Sequence, residues 1–282
     1  MSLDLPPPRT LAEVVRDARF AARAAAFATI TGVALARLEL ETRDVDDRER
    51  ERIIALSMRR FGRVVGSAFG IETVTSGVGA EGYVSGRDAR GLGRVFVCNH
   101  RSALDILVTL KLLEGKHVSR ADLADWPVLG VVARKVGILF VDRESKRSAA
   151  AVVHQMIRCV GAGIGVIIFP EGTTYAGDEV RPFKPGAFAV AKRTGCEVVP
   201  VGIAYGGDST SFGDESLVEH MRRVAGGSRT RVALAVGSPL KMAPAEEAQA
   251  LSERVHAAVQ RQVSDARALL GGLPRGPLTK LS

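Results

Sequence analysis

Cysteine, large aromatics and long uncharged runs are all scarce in this 282-residue sequence, and each shortage excludes something. The three cysteines, Cys98, Cys159 and Cys196, lie in or beside apolar segments and share no CxxC spacing. A disulfide framework and a zinc ribbon are thereby excluded, and the thiols are expected to be reduced and buried. One tryptophan and three tyrosines offer few rings for bases to stack on, and no zinc-finger or basic recognition-helix pattern is present. A net charge of +8 favours anionic partners, of which nucleic acid is the weakest fit. A phosphorylated substrate or an acidic membrane surface fits better. No Gly-x-Ser-x-Gly turn is available for a serine hydrolase. No metal site is expected.

Near the N-terminus the longest uncharged run, Ala24 to Ala36, would rise only about 20 Å as a helix, short of a bilayer. A membrane-spanning helix is not expected there. Residues 1–10, with Pro6-Pro7-Pro8, read as an extended leader without the pattern of a secretory signal. The glycine cluster from Gly161 to Gly165 precedes a strand and lacks a P-loop lysine, so it is a turn rather than a nucleotide loop.

With 46% hydrophobic residues the chain can bury one substantial core plus a smaller appendage. Residues 1–70 carry two basic amphipathic helices, Leu11 to about Leu40 and Ile53 to Phe69. Either they lie in a lipid headgroup region or they dock on the domain's own core. Asp44, Asp46 and Asp47 are plausible caps between them. Residues 71–240 alternate strand and helix, which predicts an α/β fold with a mixed, largely parallel sheet flanked by helices. Residues 241–282 form a C-terminal helix, from Ala243 to Leu270, and a tail. Short strands are also expected at Ile71 to Thr75 and Gly82 to Val84.

The stretch Asn99-His100-Arg101-Ser102-Ala103-Leu104-Asp105 stands out. It follows the apolar strand Val95 to Cys98 and opens a helix, and such junctions are where open α/β sheets place ligands. His100 falls in the loop and Asp105 about one turn into the helix, so the carboxylate can fold back onto the imidazole. An imidazole held in one tautomer by a carboxylate is a general base. His117, His154, His220 and His256 have no acidic partner at a helpful spacing and are assigned to solvated faces or core contacts.

Three further strands end in polar or special residues: Gly137 to Arg143, Ile167 to Thr174 with its Phe-Pro-Glu-Gly-Thr-Thr sequence, and Val198 to Val201. Together with the His100 stretch, these resemble the four ordered blocks of the glycerolipid acyltransferases, the family of 1-acylglycerol-3-phosphate acyltransferase. The resemblance covers roughly residues 71 to 240. It implies an O-acyltransferase that moves a fatty acyl group from acyl-CoA or acyl carrier protein to the hydroxyl of a lysophospholipid, most simply 1-acylglycerol-3-phosphate. His100 would take the hydroxyl proton and Asp105 would orient the ring. Asn99, Arg101, Ser102, Glu171, Gly172, Thr173 and Thr174 would line the substrate site. Arg120, Arg143 and Lys184 are candidates to hold a phosphate. No cofactor is implied beyond the acyl donor as co-substrate, and the expected location is peripheral, on the cytoplasmic face of the cell membrane.

Two departures from the family pattern bear on the acceptor. Arg120 stands where the family usually has Lys, and Thr174 where members specialised for lysophosphatidate have Arg. A non-phosphate acceptor such as lyso-ornithine lipid therefore stays open. So does a lipid-binding module without catalysis, although such a module has no need of a base with its orienting carboxylate.

Overall fold

The computed structural model describes residues 10–79, 82–125, 129–142, 144–207, 210–212 and 215–271. One sheet runs in the spatial order β1 (Ile71–Ser76), β7 (Thr230–Val236), β6 (Val198–Tyr205), β2 (Val95–Cys98), β5 (Val166–Ile168), β3 (Lys116–Arg120), β4 (Leu139–Val141). Only β6 and β7 are antiparallel neighbours. From β6 through β4 every neighbouring pair is parallel, so the C-terminal ends of five strands share one edge. Central β2, β5 and β6 are buried on both faces, as their unbroken apolar sequences require.

Alternation along β2 divides the core. Val95 and Val97 face α5 (Lys146–Gly161), α6 (Phe188–Thr194) and α8 (Ala248–Leu269), through Met156, Phe188 and Val259 among others. Phe96 and Cys98 face α3 (Leu104–Leu112) and α7 (Leu217–Gly226), through Leu104, Val108 and Val224. Burying a ring such as that of Phe96 completely is worth about 1.5–3 kcal/mol. α8 lies directly on β6: a Cβ added to Gly202 would come 2.1 Å from the Gln262 backbone. A single methyl there would separate helix from sheet.

Two long helices cover α3 and α7 from outside. α1 (Leu11–Glu41) starts in a capping box, Thr10 with Glu13, and α2 (Asp47–Ala68) starts at Asp46, whose Oδ1 accepts from the Glu49 amide at 2.8 Å. Phe20, Phe27 and Ile30 of α1 pack against Phe61, Val65 and Phe69 of α2. Arg19 and Arg23 donate to the carbonyls of Gly226, Ala225, Gly227 and Ser228, the unsatisfied acceptors at the end of α7. The inner faces of both helices are thus docked on the domain. The outer face of α1 stays open, with Val33 64% and Leu40 71% exposed.

The observed helix differs from the reading of its longest uncharged run. α1 is long and apolar enough, by length and composition, to cross a membrane, and little of its apolar stretch is buried. Isolated arginines spaced along a 31-residue helix do not prevent this.

Other expectations shift at their edges. β3 is absent from the sequence reading because Lys-His-Val-Ser-Arg shows no apolar run; pairing with β5 and β4 makes it a strand. Residues 82–84 supply only an isolated bridge, Val84 to Leu113. The last helix begins at Ala248 rather than Ala243, because Pro244 lacks an amide and Ala245 sits at φ 62°. Residues 1–9 and 126–128, read as a leader and as part of a turn, lie outside the described residues. α4 (Leu129–Lys135) follows that turn.

Candidate active site

His100 lies two residues beyond β2, and Asp105 is the second residue of α3. The helix start brings them together: His100 Nδ1 donates to Asp105 Oδ2 at 2.7 Å. A carboxylate oxygen only accepts, so Nδ1 carries a proton, and in the neutral ring the lone pair belongs to Nε2. The same Oδ2 accepts from the amides of Arg101 at 2.7 Å and Ser102 at 3.0 Å. Oδ1 accepts from the Tyr205 hydroxyl at 2.6 Å. Asp105 is fully enclosed, whereas the His100 side chain keeps 14% of its surface open and stacks on Phe169, with ring centroids 4.4 Å apart.

A second buried pair braces this loop. Arg101 Nη1 lies 2.9 Å from Glu171 Oε1, and the remaining Arg101 donors reach the carbonyls of His100, Gly177 and Glu179. Glu171 also accepts from the amides of His100 at 2.7 Å and Arg181 at 2.9 Å. Asn99 spans to β6, donating to the Ile203 carbonyl at 2.9 Å and accepting from its amide at 2.7 Å. Ser102 Oγ lies 3.1 Å from His220 Nε2.

Asn99, Arg101, Ser102 and Glu171, which the resemblance assigns to the substrate site, are each buried and bonded to protein partners, and in this structure they hold the loop in shape. The reason is general: polar groups taken out of water must be paired, and these pairs tie the ends of β2, β5 and β6 together.

The rest of the Glu171 loop is more open. Gly172 adopts φ +81°, which a side chain disfavours, and the Lys184 side chain lies against it: an added Cβ would come 2.9 Å from Nζ. Thr173 is exposed beside them. Thr174 turns its hydroxyl to the Phe212 carbonyl at 3.0 Å, away from Lys184's exposed ammonium. Arg120, at the end of β3, is paired with Asp122 at 2.9 Å on the surface and is not brought to His100 by any described contact. Arg143 lies outside the described residues.

Several functional candidates escaped the sequence reading. Tyr205 ends β6, four residues past the Val198 to Val201 strand of the sequence reading. Arg181 places its guanidinium over the Tyr175 ring, 5.5 Å from the centroid, in the loop that also carries Lys184. His220 does have an acidic partner, Glu215, five residues earlier: Nδ1 and Oε1 are 2.9 Å apart, and Arg223 pairs with the same carboxylate. Burial lowers the His220 imidazole, an effect that Glu215 opposes. His117 is buried against Thr109, with Nε2 2.8 Å from Oγ1, and burial pushes it down to about 4. Burial and then the Asp105 charge push the Cys98 thiol well above its ordinary range, which removes it as a nucleophile.

Beside the loop lies a cavity of about 810 Å³ between the outer helices and the sheet. Phe27, Phe61, Leu107, Val132 and Phe140 make it largely apolar, while Glu51 and Lys116, 2.6 Å apart, stand at a charged part of its wall. His100 is not on that wall. Ile106, next to Asp105, and His117, whose ring stacks at 6.5 Å on Phe169, are. Among the described residues no group of His, Cys, Asp and Glu is arranged to hold a metal ion.

Comparison with known proteins finds acyltransferases among those similar to this chain. The family model described as Acyltransferase matches residues 84–204. A chloroplastic 1-acyl-sn-glycerol-3-phosphate acyltransferase of Brassica napus is 34% identical over 127 residues, 45% of this chain and 37% of the relative. The lyso-ornithine lipid O-acyltransferase of Pseudomonas aeruginosa is 32% identical over 152 residues, 52% of this chain and 58% of the relative. The chain thus spans roughly one to two thirds of these relatives. The crystal structure of a 1-acyl-sn-glycerophosphate acyltransferase from Thermotoga maritima shares the fold, with a TM-score of 0.67 at 21% identity, covering 91% of this chain and 98% of that one. The His100–Asp105 pair, Glu171 and Lys184 all fall inside residues 84–204, the part of the chain that matches the Acyltransferase family model.

Proposed function

We propose that this protein is an O-acyltransferase that moves a fatty acyl group from an acyl thioester, on coenzyme A or acyl carrier protein, to the free hydroxyl of a lysophospholipid. The observation that carries the reading is the His100–Asp105 hydrogen bond. It fixes Nδ1 as the donor, so that the neutral ring has its lone pair on Nε2, in a side chain that is 14% exposed and stacked on Phe169.

In the reaction, Nε2 takes the acceptor's hydroxyl proton as the oxygen attacks the thioester carbonyl. The tetrahedral adduct collapses, the C–S bond breaks, and the imidazolium returns the proton to the departing thiolate. Asp105 holds the imidazolium in place and lowers its energy without itself changing protonation. The thioester is already activated, so no acyl-enzyme is required. The apolar cavity has a volume suited to a fatty chain and is lined in part by Ile106, one residue from Asp105.

The favoured acceptor is 1-acylglycerol-3-phosphate, giving phosphatidic acid, with Lys184, whose side chain lies against Gly172, as the candidate cation for its phosphate. A second acceptor, lyso-ornithine lipid, is favoured by Thr174, whose hydroxyl turns to Phe212 instead of supplying a charge. The outer face of α1 would rest on an anionic membrane at its cytoplasmic face. Purified protein, offered both acceptors with labelled acyl-CoA and products resolved by mass, tests the reading. Phosphatidic acid formation, with a KM for lysophosphatidate raised about tenfold or more in Lys184→Ala, supports a phosphate acceptor. Acylation of lyso-ornithine lipid alone selects the second, and no acyl transfer to either overturns both.

A further inference from the structure

Tyr205 lies just outside the matched residues, which end at 204, yet it touches the carboxylate on which the proposed chemistry depends. We propose that Tyr205 is a positioning residue that sets the basicity of the His100–Asp105 pair by donating its hydroxyl to Asp105 Oδ1. This rests on the acyltransferase reading above and adds to it the group that governs when the base is competent.

The argument is one of donors and acceptors. Asp105 Oδ2 is shared by three donors, His100 Nδ1 and the amides of Arg101 and Ser102. Oδ1 has Tyr205, at 2.6 Å, in a site closed to water. Without the hydroxyl, a buried carboxylate oxygen would lose a strong partner and the carboxylate could turn about its Cβ–Cγ bond. Burial, and then the neighbouring Asp105 charge, hold the Tyr205 phenol well above its ordinary range, so it stays a donor throughout the working pH of an enzyme. The backbone holds it as firmly: Tyr205 pairs with Val232 of β7, and its carbonyl accepts from Arg267 Nη1 at 2.6 Å, an arginine bound in turn to Asp178.

Each neutral donor on Asp105 draws charge away from the ring. Removing one leaves more negative charge facing the imidazolium and favours the protonated, inactive form. Other titratable groups near the pair are Cys98 on β2, the Arg101–Glu171 pair, and His220 with Glu215 and Arg223. Tyr205 also hydrogen-bonds Ser102, whose Oγ lies 3.1 Å from His220 Nε2, so the His220 ring is titrated beside His100 in the same samples to separate the two effects.

The test is the pH dependence of kcat/KM in Tyr205→Phe, paired with replacement of Tyr205 by 3-fluorotyrosine, a stronger donor that differs by one atom. The acid limb is expected to move up by about one pH unit in the phenylalanine variant. In the fluorotyrosine protein it should move down. Carbon NMR of the His100 ring, titrated without substrate, should show the same opposed displacements. That measurement separates this proposal from the acyltransferase reading, since it needs no turnover. Limbs and ring titrations that stay in place in both proteins, whether activity falls with thermal stability or not, would make Tyr205 merely structural. If Tyr205→Phe does not fold, the fluorotyrosine protein decides alone.

Discussion

Arg101 and Glu171 form an ion pair closed to solvent on both sides, with the arginine 4% and the glutamate 0% exposed in their side chains. The pair joins the loop after β2 to the loop after β5, and the Glu171 carboxylate also receives the His100 amide. Removing one member of such a pair strands the other charge. Glu171→Ala is therefore expected to cost about 3–5 kcal/mol of stability, more than a surface carboxylate would. Urea denaturation checks this. A variant with the wild-type midpoint and only a raised acceptor KM would show that Glu171 faces substrate after all.

His117 gives the fold a pH dependence of its own. Its folded value, about 4, lies below that of an ordinary imidazole, so between roughly pH 6.5 and 4 the unfolded chain binds a proton that the folded chain refuses. Stability contributed this way is present at neutral pH and lost as pH falls through that window, by about 3 kcal/mol at the acid end. His117→Gln keeps a donor for Thr109 but does not titrate. Its denaturation free energy should fall less steeply than wild type from pH 6.5 to 4. Equal slopes would mean that His117 is accessible to protons in the folded protein.

The outer face of α1, where Val33 and Leu40 are 64% and 71% exposed, is the proposed membrane contact. Deleting residues 1–70 would also strip Phe61, Val65 and Phe69 from the core they share with Ala225, so truncation confuses binding with folding. The double substitution Val33→Glu with Leu40→Glu avoids this. It should reduce co-sedimentation with anionic vesicles while changing stability by no more than about 0.5 kcal/mol. Undiminished vesicle binding would show that this face does not meet lipid.

Much of this was legible in the chain because the signals were local. Val95 to Cys98 followed by His100 and Asp105 specifies a strand, a loop and a carboxylate returning to the imidazole within seven residues, and the structure keeps that order. Hidden from the sequence were relationships made by the sheet. β3 is a strand only because β5 and β4 flank it. Tyr205 reaches Asp105 across a separation of 100 residues, and Glu171 reaches His100 across 71. Asn99, Ser102 and Glu171 are assigned to the substrate site by the family resemblance, which carries no information about their burial. Here the crossing of three strand ends buries them, and burial converts them into braces.

The central claim is that His100 is the base for acyl transfer. The most direct measurement is turnover by purified His100→Ala, with the acceptor that the wild type uses and labelled acyl-CoA, beside a thermal melt of the same sample. The account predicts a loss of kcat of about 10³-fold with the fold retained, since a positioned general base is worth about 10²–10⁴ in rate. Near-normal turnover by the folded variant would contradict it.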